Sequence, residues 1–306
     1  MGRKRKARGG RDVHGVLLLD KPSGMTSNEV LQHVKRLFRA RKAGHTGSLD
    51  KSATGLLPLC LGEATKFSSF LLDADKRYRA VFRLGVETTT GDAEGEVVRE
   101  LAVPELTIAR VEQVLSRFRG DIEQIPPMYS ALKHKGKRLY ELAYQGIEVA
   151  REPRPVTIYS FDLIEFDGLD LTIDVLCSKG TYIRTLAEDV GRELGCGAHV
   201  STLRRTGSGP FREEEMVTLD ELESRAETGF EALDACLKPV DAVLREMPGV
   251  ELVDSVAYYL KQGQPILIPN APTEGMLRMY TDNGEFLGVG EILDDGRVAP
   301  RRLLTA

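Results

Sequence analysis

A glycine-rich loop between two regular elements constrains this chain most strongly. Residues 44–55 read GHTGSLDKSATG, in which three glycines and mostly small polar residues interrupt both the helical and the strand periodicity. A helix is predicted before the loop, because Thr26 and Glu29 have capping-box spacing and apolar residues then recur on one face. The apolar run GLLPLCL after it indicates a buried strand. Glycines let a backbone approach a ligand closely, so we expect chemistry around Asp50.

Strand and helix patterns alternate along the chain to about residue 249. Predicted strands are GVLLLDKP, RYRAVFRLGV and LTIDVLC, and predicted helices are EATKFSSFLL, the segment from Ile108 to Phe118, and TLAEDVGRELG. From about Val250, short β-rich runs separated by glycine and by DNG or DDG turns suggest a small β-domain of about 55 residues. We therefore predict an α+β protein, with a large domain over 15–249 and a small β-rich domain over 250–306.

Charge is spread unevenly along the chain. The net charge is −4, but residues 1–50 hold 12 Lys and Arg against 4 Asp and Glu. We predict a disordered basic tail over residues 1–14. Residues 212–236 carry nine acids against two bases, and we expect them to face away from any nucleic acid. This asymmetry indicates separate phosphate-facing and solvent-facing surfaces.

A second basic segment lies at about residues 128–155. Within residues 133–154 there are six Lys and Arg against three Glu, with Tyr140 and Tyr144 between them. This composition is typical of a mobile insertion that binds RNA by charge and stacking. A surface helix with solvated lysines fits the same composition equally well.

Cysteine placement and hydropathy indicate the kind of compartment. The four cysteines are far apart, with no C-x-x-C pair and no histidine at ligand spacing, so we expect reduced, mostly buried thiols and neither a zinc site nor a disulfide framework. No apolar run approaches the roughly 20 residues that span a bilayer, and the basic N-terminus lacks the apolar stretch of a secretory signal. A cytoplasmic protein is the expectation.

Six segments resemble, in order, the motifs of the TruB family of pseudouridine synthases. They are GVLLLDKPSGMTS, AGHTGSLDKSATGLLPLCLGEATKF, DKRYRAVFRLG, IPPMYSALK, SKGTYIRTLAEDVG and LRRTGSGPF, between about residues 15 and 211. The C-terminal residues resemble the family's PUA-type RNA-binding domain more loosely. The resemblance implies a pseudouridine-synthase fold, with a central mixed, mostly antiparallel sheet flanked by helices. Lys51 stands where the family usually has proline, which should make the loop less rigid.

The resemblance also implies an activity. It is the isomerisation of the uridine at position 55 in the T arm of tRNA, by glycosidic cleavage, base rotation and C–C bond formation on an extruded base. Nothing enters or leaves in such a reaction, so no cofactor and no metal are expected. The expected partner is tRNA, and the chain resembles the stand-alone, monomeric bacterial form without an obligate protein partner. Two alternatives are a non-catalytic tRNA-binding or RNA-folding module and a glycoside hydrolase, although hydrolases normally need a pair of carboxylates.

The site residues come from the same resemblance. Asp50 matches the catalytic carboxylate, although whether it acts as nucleophile or base stays open. Arg184 matches the arginine that orients it, and Tyr78 matches a stacking tyrosine that is a candidate to remove the C5 proton. The residues that match positions at the uridine pocket or near it are His45, Tyr182, Leu203, Lys21 and Lys66. Without the motifs, each would be interpreted as a turn aspartate, a structural ion pair, a packed tyrosine or leucine, a loop histidine or a surface lysine.

Overall fold

The structure is a computed structural model that describes residues 9–305. In its larger, N-terminal part the elements are β1 (Gly15–Lys21), α1 (Ser27–Leu37), β2 (Ala43–His45), β3 (Thr54–Leu61), α2 (Ser68–Leu72), β4 (Lys76–Leu84), β5 (Val86–Thr88), β6 (Val97–Glu100), α3 (Ile108–Ser116), β7 (Gly120–Gln124), β8 (Lys133–His134), β9 (Lys137–Arg138), α4 (Leu139–Ala143), β10 (Arg154–Phe166), β11 (Asp170–Cys177), α5 (Ile183–Leu194), β12 (Ala198–Ser208), β13 (Phe211–Arg212), β14 (Val217–Thr218), α6 (Leu219–Thr228) and α7 (Phe230–Asp234). Short 3-10 helices lie at Gly62–Lys66, Glu213–Glu215 and Val240–Leu244.

One mixed sheet organises these elements. Its strands run in the order β14-β1-β3-β12-β4-β11-β10-β7, with β13 beside β12 and β2 beside β3. Most neighbours are antiparallel, and the parallel pairs are β1 with β14 and β12 with β3. β5 with β6 and β8 with β9 form separate hairpins. The predicted α+β fold with a mostly antiparallel central sheet is confirmed.

Alternation along β1 and β3 divides the core into layers. Leu17 and Leu57 face a cluster that includes α1, α6 and α7, while Val16 and Leu56 face a cluster on the opposite side. The strands from β4 to β11 pack on α3 and α5 in a further cluster. Tyr78 contacts both the α1 cluster and the α5 cluster, so it lies where these two layers meet.

The sheet is split between β3 and β12. These strands pair through only two registers, Arg204 with Thr54 and Arg205 with Gly55, and then diverge. Gly55 has φ 96, and a Cβ there would lie 2.3 Å from the backbone oxygen of Arg205. Glycine therefore allows the close approach at the point where the two strands separate.

The C-terminal part is a small β-rich domain. It contains β15 (Gly249–Leu252), α8 (Asp254–Lys261), β16 (Ile266–Leu267), β17 (Met276–Thr281), β18 (Phe286–Ile292) and β19 (Arg297–Leu303). The strand order is β15-β17-β18-β19-β16. Phe286 packs on Phe67 with ring centroids 5.5 Å apart, and Lys66 donates to the Leu303 carbonyl at 3.0 Å. This sheet therefore docks on the face of the large domain opposite α1.

The start of the chain differs in part from the predicted disordered tail. Residues 1–8 of that tail lie outside the described residues. Val13, however, is buried, and Arg11 donates to the Asp234 carboxylate at 3.1 Å while its guanidinium lies 4.0 Å from the Phe230 ring centroid. An apolar contact and an ion pair thus hold the segment around residues 11–13 against α7.

Two further expectations concern thiols and hydropathy. All four cysteines are free, and Cys60, Cys177 and Cys196 are buried while Cys236 is half-buried, as predicted. Within residues 9–305, the helices are all too short or too polar to cross a bilayer.

Replacing Gly55 by alanine should destabilise the protein by about 2 kcal/mol or more, because the positive φ and the contact with Arg205 act together. Gly195→Ala is the matched control, since Gly195 has φ 86 with open space around its Cβ position and should lose only about 1 kcal/mol. Urea unfolding followed by circular dichroism measures both. Equal losses in the two variants would contradict the steric part of this argument.

Candidate active site

The loop that carries Asp50 is held by backbone contacts. The Ser27 hydroxyl, in the first turn of α1, accepts from Leu49 N at 2.8 Å. Lys21 is fully buried beneath the loop, and its Nζ donates to the carbonyls of Ala53 at 2.7 Å and Lys51 at 3.1 Å. Burial lowers the pKa of Lys21 to about 8, and the nearby Asp50 carboxylate opposes this shift. The loop that carries Asp50 and Lys51 is therefore held from inside the protein, where Lys21 is a buried residue and not a surface lysine.

Asp50 forms an ion pair with Arg184 across the cleft. Arg184 lies in the first turn of α5, and its Nε is 3.1 Å from Asp50 Oδ2. Its Nη1 donates to the Thr90 carbonyl at 3.0 Å and its Nη2 to the Tyr129 carbonyl at 2.8 Å. The Arg184 side chain is only 7% exposed, whereas that of Asp50 is 42% exposed. A buried cation thus orients a carboxylate that solutes can reach.

Asp92 is a second acid at this ion pair that the sequence analysis did not single out. Its Oδ2 is 3.6 Å from Arg184 Nη1, and its side chain is 10% exposed. Its Oδ1 accepts from the Thr90 hydroxyl at 2.5 Å and from Glu94 N at 3.1 Å. Asp92 therefore fixes the turn whose Thr90 carbonyl binds the guanidinium. The one feature of the sequence that could have indicated this role is the position of Asp92, two residues after Thr90.

The surroundings shift the acidity of Asp50. Desolvation in the pocket raises the pKa of its carboxyl group, and the Arg184 guanidinium opposes this shift. Asp92 and Glu94 raise the pKa further, and Lys21 lowers it. The Asp50 side chain is enclosed by protein yet keeps part of its surface in contact with solvent.

A pocket of about 500 Å³ opens beside this pair, where β3 and β12 separate. Asp50, Asp92 and Arg184 line it together with Leu203 and Arg79. Leu203 is half-buried and packs with the same two core clusters as Tyr78. The structure thus brings Asp50, Arg184 and Leu203 into one pocket. Tyr78 does not line this pocket but packs against the same two core clusters as Leu203.

Arg205 is a fully buried cation that the sequence analysis did not single out. It is 1% exposed, and its Nε donates to the Leu56 carbonyl at 2.6 Å and its Nη2 to the Gly47 carbonyl at 3.3 Å. Burial raises the pKa of the Tyr78 hydroxyl, and Arg205 opposes that shift. Arg205 thus connects β12 to the loop and lies near the Tyr78 hydroxyl.

His45 and Tyr182 lie beside the pocket without lining it. Burial lowers the pKa of His45, Arg205 lowers it further, and its buried Nδ1 has no hydrogen-bond partner among residues 9–305. Tyr182 precedes α5, and its backbone exchanges hydrogen bonds of 3.0 and 3.3 Å with the Gln124 side chain. These contacts place Arg184 relative to the end of β7.

Lys66 does not join this site. Its Nζ lies 2.5 Å from Glu63 Oε2 and donates to Leu303 O and to the Thr305 hydroxyl at 3.1 Å. The expectation that it lies near the uridine pocket is corrected, because an ion pair and the docked C-terminal strand hold the side chain at the domain contact.

The fold matches solved assemblies that contain Cbf5. The chain matches a structure described as a Cbf5-Nop10-Gar1 complex with a TM-score of 0.74 and 28% identity, covering 94% of this chain and 84% of that chain. An archaeal box H/ACA sRNP Nop10-Cbf5 complex matches with a TM-score of 0.71 and 26% identity, covering 95% and 86%. The chain therefore shares the fold of these Cbf5 structures over nearly its whole length.

Comparisons with known sequences identify the family to which the chain belongs. The family model described as TruB family pseudouridylate synthase (N terminal domain) matches residues 35–183, and two C-terminal models of the same family match 184–245 and 248–304. Proteins named tRNA pseudouridine synthase B are 58% identical in Nitrosococcus oceani and 56% identical in Coxiella burnetii, each over 96% of both chains. One from Serratia proteamaculans is 54% identical over 98% of both chains. The chain belongs to the TruB family of pseudouridine synthases.

Replacing Arg205 by methionine should raise the pKa of His45, because a neighbouring positive charge that disfavours the imidazolium is removed. NMR titration of the histidine ring protons measures this pKa. Arg205→Lys keeps the charge and should preserve the pKa of the unaltered protein. Arg204→Met is the matched control, since Arg204 pairs with Asp20 at 2.8 Å and should leave His45 unaffected. A His45 pKa that is unchanged in Arg205→Met would contradict the electrostatic link.

Proposed function

We propose that this protein converts uridine 55 in the T arm of tRNA to pseudouridine. The observation that carries the proposal is the partly exposed Asp50 carboxylate held 3.1 Å from the buried Arg184 at a pocket. The names of the full-length relatives support tRNA as the substrate. The protein acts alone on tRNA in the cytoplasm, and the reaction needs no added cofactor.

The reaction breaks the N1–C1′ bond of the uridine and joins C5 to C1′. C5 loses a proton and N1 gains one, so the product is an isomer of the substrate. Asp50 is the one group of the pocket that combines a carboxylate, access and a cation partner, and it therefore supplies the nucleophile or base. Arg184 keeps this carboxylate oriented, because its remaining donors are bound by the carbonyls of Thr90 and Tyr129.

The Tyr78 hydroxyl is the proposed acceptor of the C5 proton. Burial raises the pKa of this phenol, so it is neutral at rest. It first gives its own proton to N1 and then, as the phenolate that the Arg205 cation stabilises, accepts the proton from C5. Leu203 and the Tyr78 ring offer apolar surfaces to an extruded base. The pocket of about 500 Å³ is large enough to enclose a nucleoside, which limits the access of water during bond cleavage.

The insertion between β7 and β10 binds the RNA stem-loop in this proposal. Tyr144 is 78% exposed and contacts Tyr129 and Tyr140 edge to face, which leaves an aromatic surface available for stacking. Lys133 and Lys137 add positive charge on the adjacent hairpin. Since the Tyr129 carbonyl binds Arg184, RNA bound at the insertion is connected directly to the catalytic ion pair.

The test uses T-arm RNA labelled with tritium at uracil C5. The unaltered protein should release label to water, because the C5 proton is lost when the new C–C bond forms. Asp50→Asn should reduce release by at least about 10³-fold, because the amide is neither nucleophile nor base. Absence of release by the unaltered protein would refute the enzymatic proposal.

Two controls identify the reacting site. RNA that is labelled in the same way but has cytidine in place of uridine 55 should release no label to water. Asp50→Asn should bind the same RNA with a Kd within a few fold of the unaltered protein. Retained binding with lost release excludes misfolding, whereas retained binding without release by either protein would favour the RNA-binding module.

The acid limb of kcat should lie above the pKa of about 3.9 of a free aspartate. Activity is lost as pH falls, because Asp50 becomes protonated at its raised pKa. Glu94→Gln removes a negative charge that raises this pKa and should therefore move the limb to lower pH. Glu96→Gln, on the same turn, is the control and should leave the limb in place. Label release at saturating RNA between pH 4 and 8 measures the limb, and an unshifted limb in Glu94→Gln would contradict the assignment.

A further inference from the structure

The C-terminal end of α1 forms a basic surface that no catalytic argument uses. Arg11, Lys35, Arg36 and Arg39 line a cavity of about 670 Å³ there, which we call the α1 basic surface. Arg11 is neutralised by Asp234. Lys35 and Arg36 form no ion pair within residues 9–305, and Arg36 and Arg39 are exposed. Lys35, Arg36 and Arg39 therefore carry positive charge that no ion pair compensates within residues 9–305, and the acidic helices α6 and α7 pack against α1 beside them.

Arg39 occupies a backbone position that favours glycine. α1 ends in a Schellman motif, in which Ala40 N donates to Lys35 O and Arg39 N donates to Arg36 O, both at 3.0 Å. Arg39 is the left-handed residue of this motif, with φ 47. A β-carbon is unfavourable in that conformation, so the backbone does not explain why an arginine stands at this position. Its exposed guanidinium belongs to the α1 basic surface.

The N-terminal chain reaches the same place. Arg11 N donates to Arg39 O, and the Arg41 side chain donates to Gly10 O at 2.9 Å. A Cβ on Gly10 would lie 3.0 Å from Arg39 O, so the contact is tight. Five of the eight residues that precede Gly9 are Lys or Arg, which adds charge of the same sign to the chain that arrives at this surface.

The surface lies at a defined distance from the reacting group. The N-terminal turn of α1 contacts the catalytic loop through Ser27, and eleven helical residues carry the chain about 16 Å to its C-terminal end. α1 packs over β1 and β3, near one edge of the sheet. The insertion joins β7 and β10, at the opposite edge. RNA held by the insertion must therefore extend past Asp50 to reach the α1 basic surface.

We propose that the α1 basic surface binds the phosphate backbone of the tRNA outside the T-arm hairpin. Arginine and lysine side chains around an open cavity suit phosphodiester groups, and such contacts position an RNA without selecting its sequence. Arg36 and Arg39 strengthen binding of the whole tRNA and take no part in the chemistry. This proposal rests on tRNA being the substrate.

The test compares a full-length tRNA with the isolated T-arm hairpin. Kd is measured at several salt concentrations for the unaltered protein, Arg36→Ala, Arg39→Gly and the double variant. For tRNA, the slope of log Kd against log salt should fall by about 0.7 to 0.9 for each phosphate contact removed. For the hairpin, Kd and its slope should stay unchanged, and kcat at saturating RNA should be that of the unaltered protein.

Arg39→Gly separates binding from folding. Glycine relieves the left-handed conformation, which offsets the loss of the Arg39 guanidinium 5.3 Å from the Phe230 ring centroid. This variant should therefore melt close to the temperature of the unaltered protein while it binds tRNA more weakly. Asn270→Gly, at φ 59 in the C-terminal domain, controls for the backbone change. Arg225→Ala, an exposed arginine in the acidic segment, controls for the lost charge. Neither control should change the salt slope.

The outcomes distinguish this inference from the proposed function. Unchanged slopes for tRNA in the double variant, with normal label release, would overturn the α1 basic surface alone. Equal losses for tRNA and hairpin would overturn its assignment to RNA outside the hairpin. A protein that releases no label from either RNA would instead refute the proposed function.

Discussion

The buried guanidinium of Arg184 is the interaction on which the site depends. An arginine stays charged at every physiological pH and presents five donors in a fixed plane, so a largely buried one requires acceptors from its surroundings. Here these acceptors come from the loop that carries Asp50, the turn after β5 and the start of the insertion. One cation therefore positions three segments that are distant in sequence. Solvent reaches the ion pair from the side of Asp50.

Two further buried cations stabilise the loop that carries Asp50 from below. Lys21 binds loop carbonyls from β1, and Arg205 binds the carbonyls of Gly47 and Leu56 from β12. Charged donors make stronger hydrogen bonds to carbonyl oxygens than neutral donors do, and their burial excludes competing water. These hydrogen bonds from Lys21 and Arg205 hold the loop that contains Lys51. The same cations affect the acidity of the functional groups above them, because their charges are weakly screened in the interior.

The split in the sheet relates the fold to the proposed reaction. β3 and β12 pair at two registers and then separate. This leaves an opening that is lined by the loop that carries Asp50 on one side and by α5 on the other. The insertion and the α1 basic surface lie on opposite sides of this opening, and the C-terminal domain docks on the other face of β1 and β3. Positive surfaces thus flank the pocket in different directions, as a long polyanion would require.

The sequence by itself determined the local elements and, through the family motifs, the α+β fold and the identity of the acid–arginine pair. Its assignments of function to all of these residues, Asp50 and Arg184 included, stay predictions. Only the tertiary structure showed that Asp92 and Arg205 belong to the site, that Lys66 lies at the domain contact, and that Arg11 is packed. The physical reason is distance along the chain. Periodicity reports contacts within a few residues, whereas Asp50 and Arg184 are 134 residues apart and meet only when two layers close on one sheet.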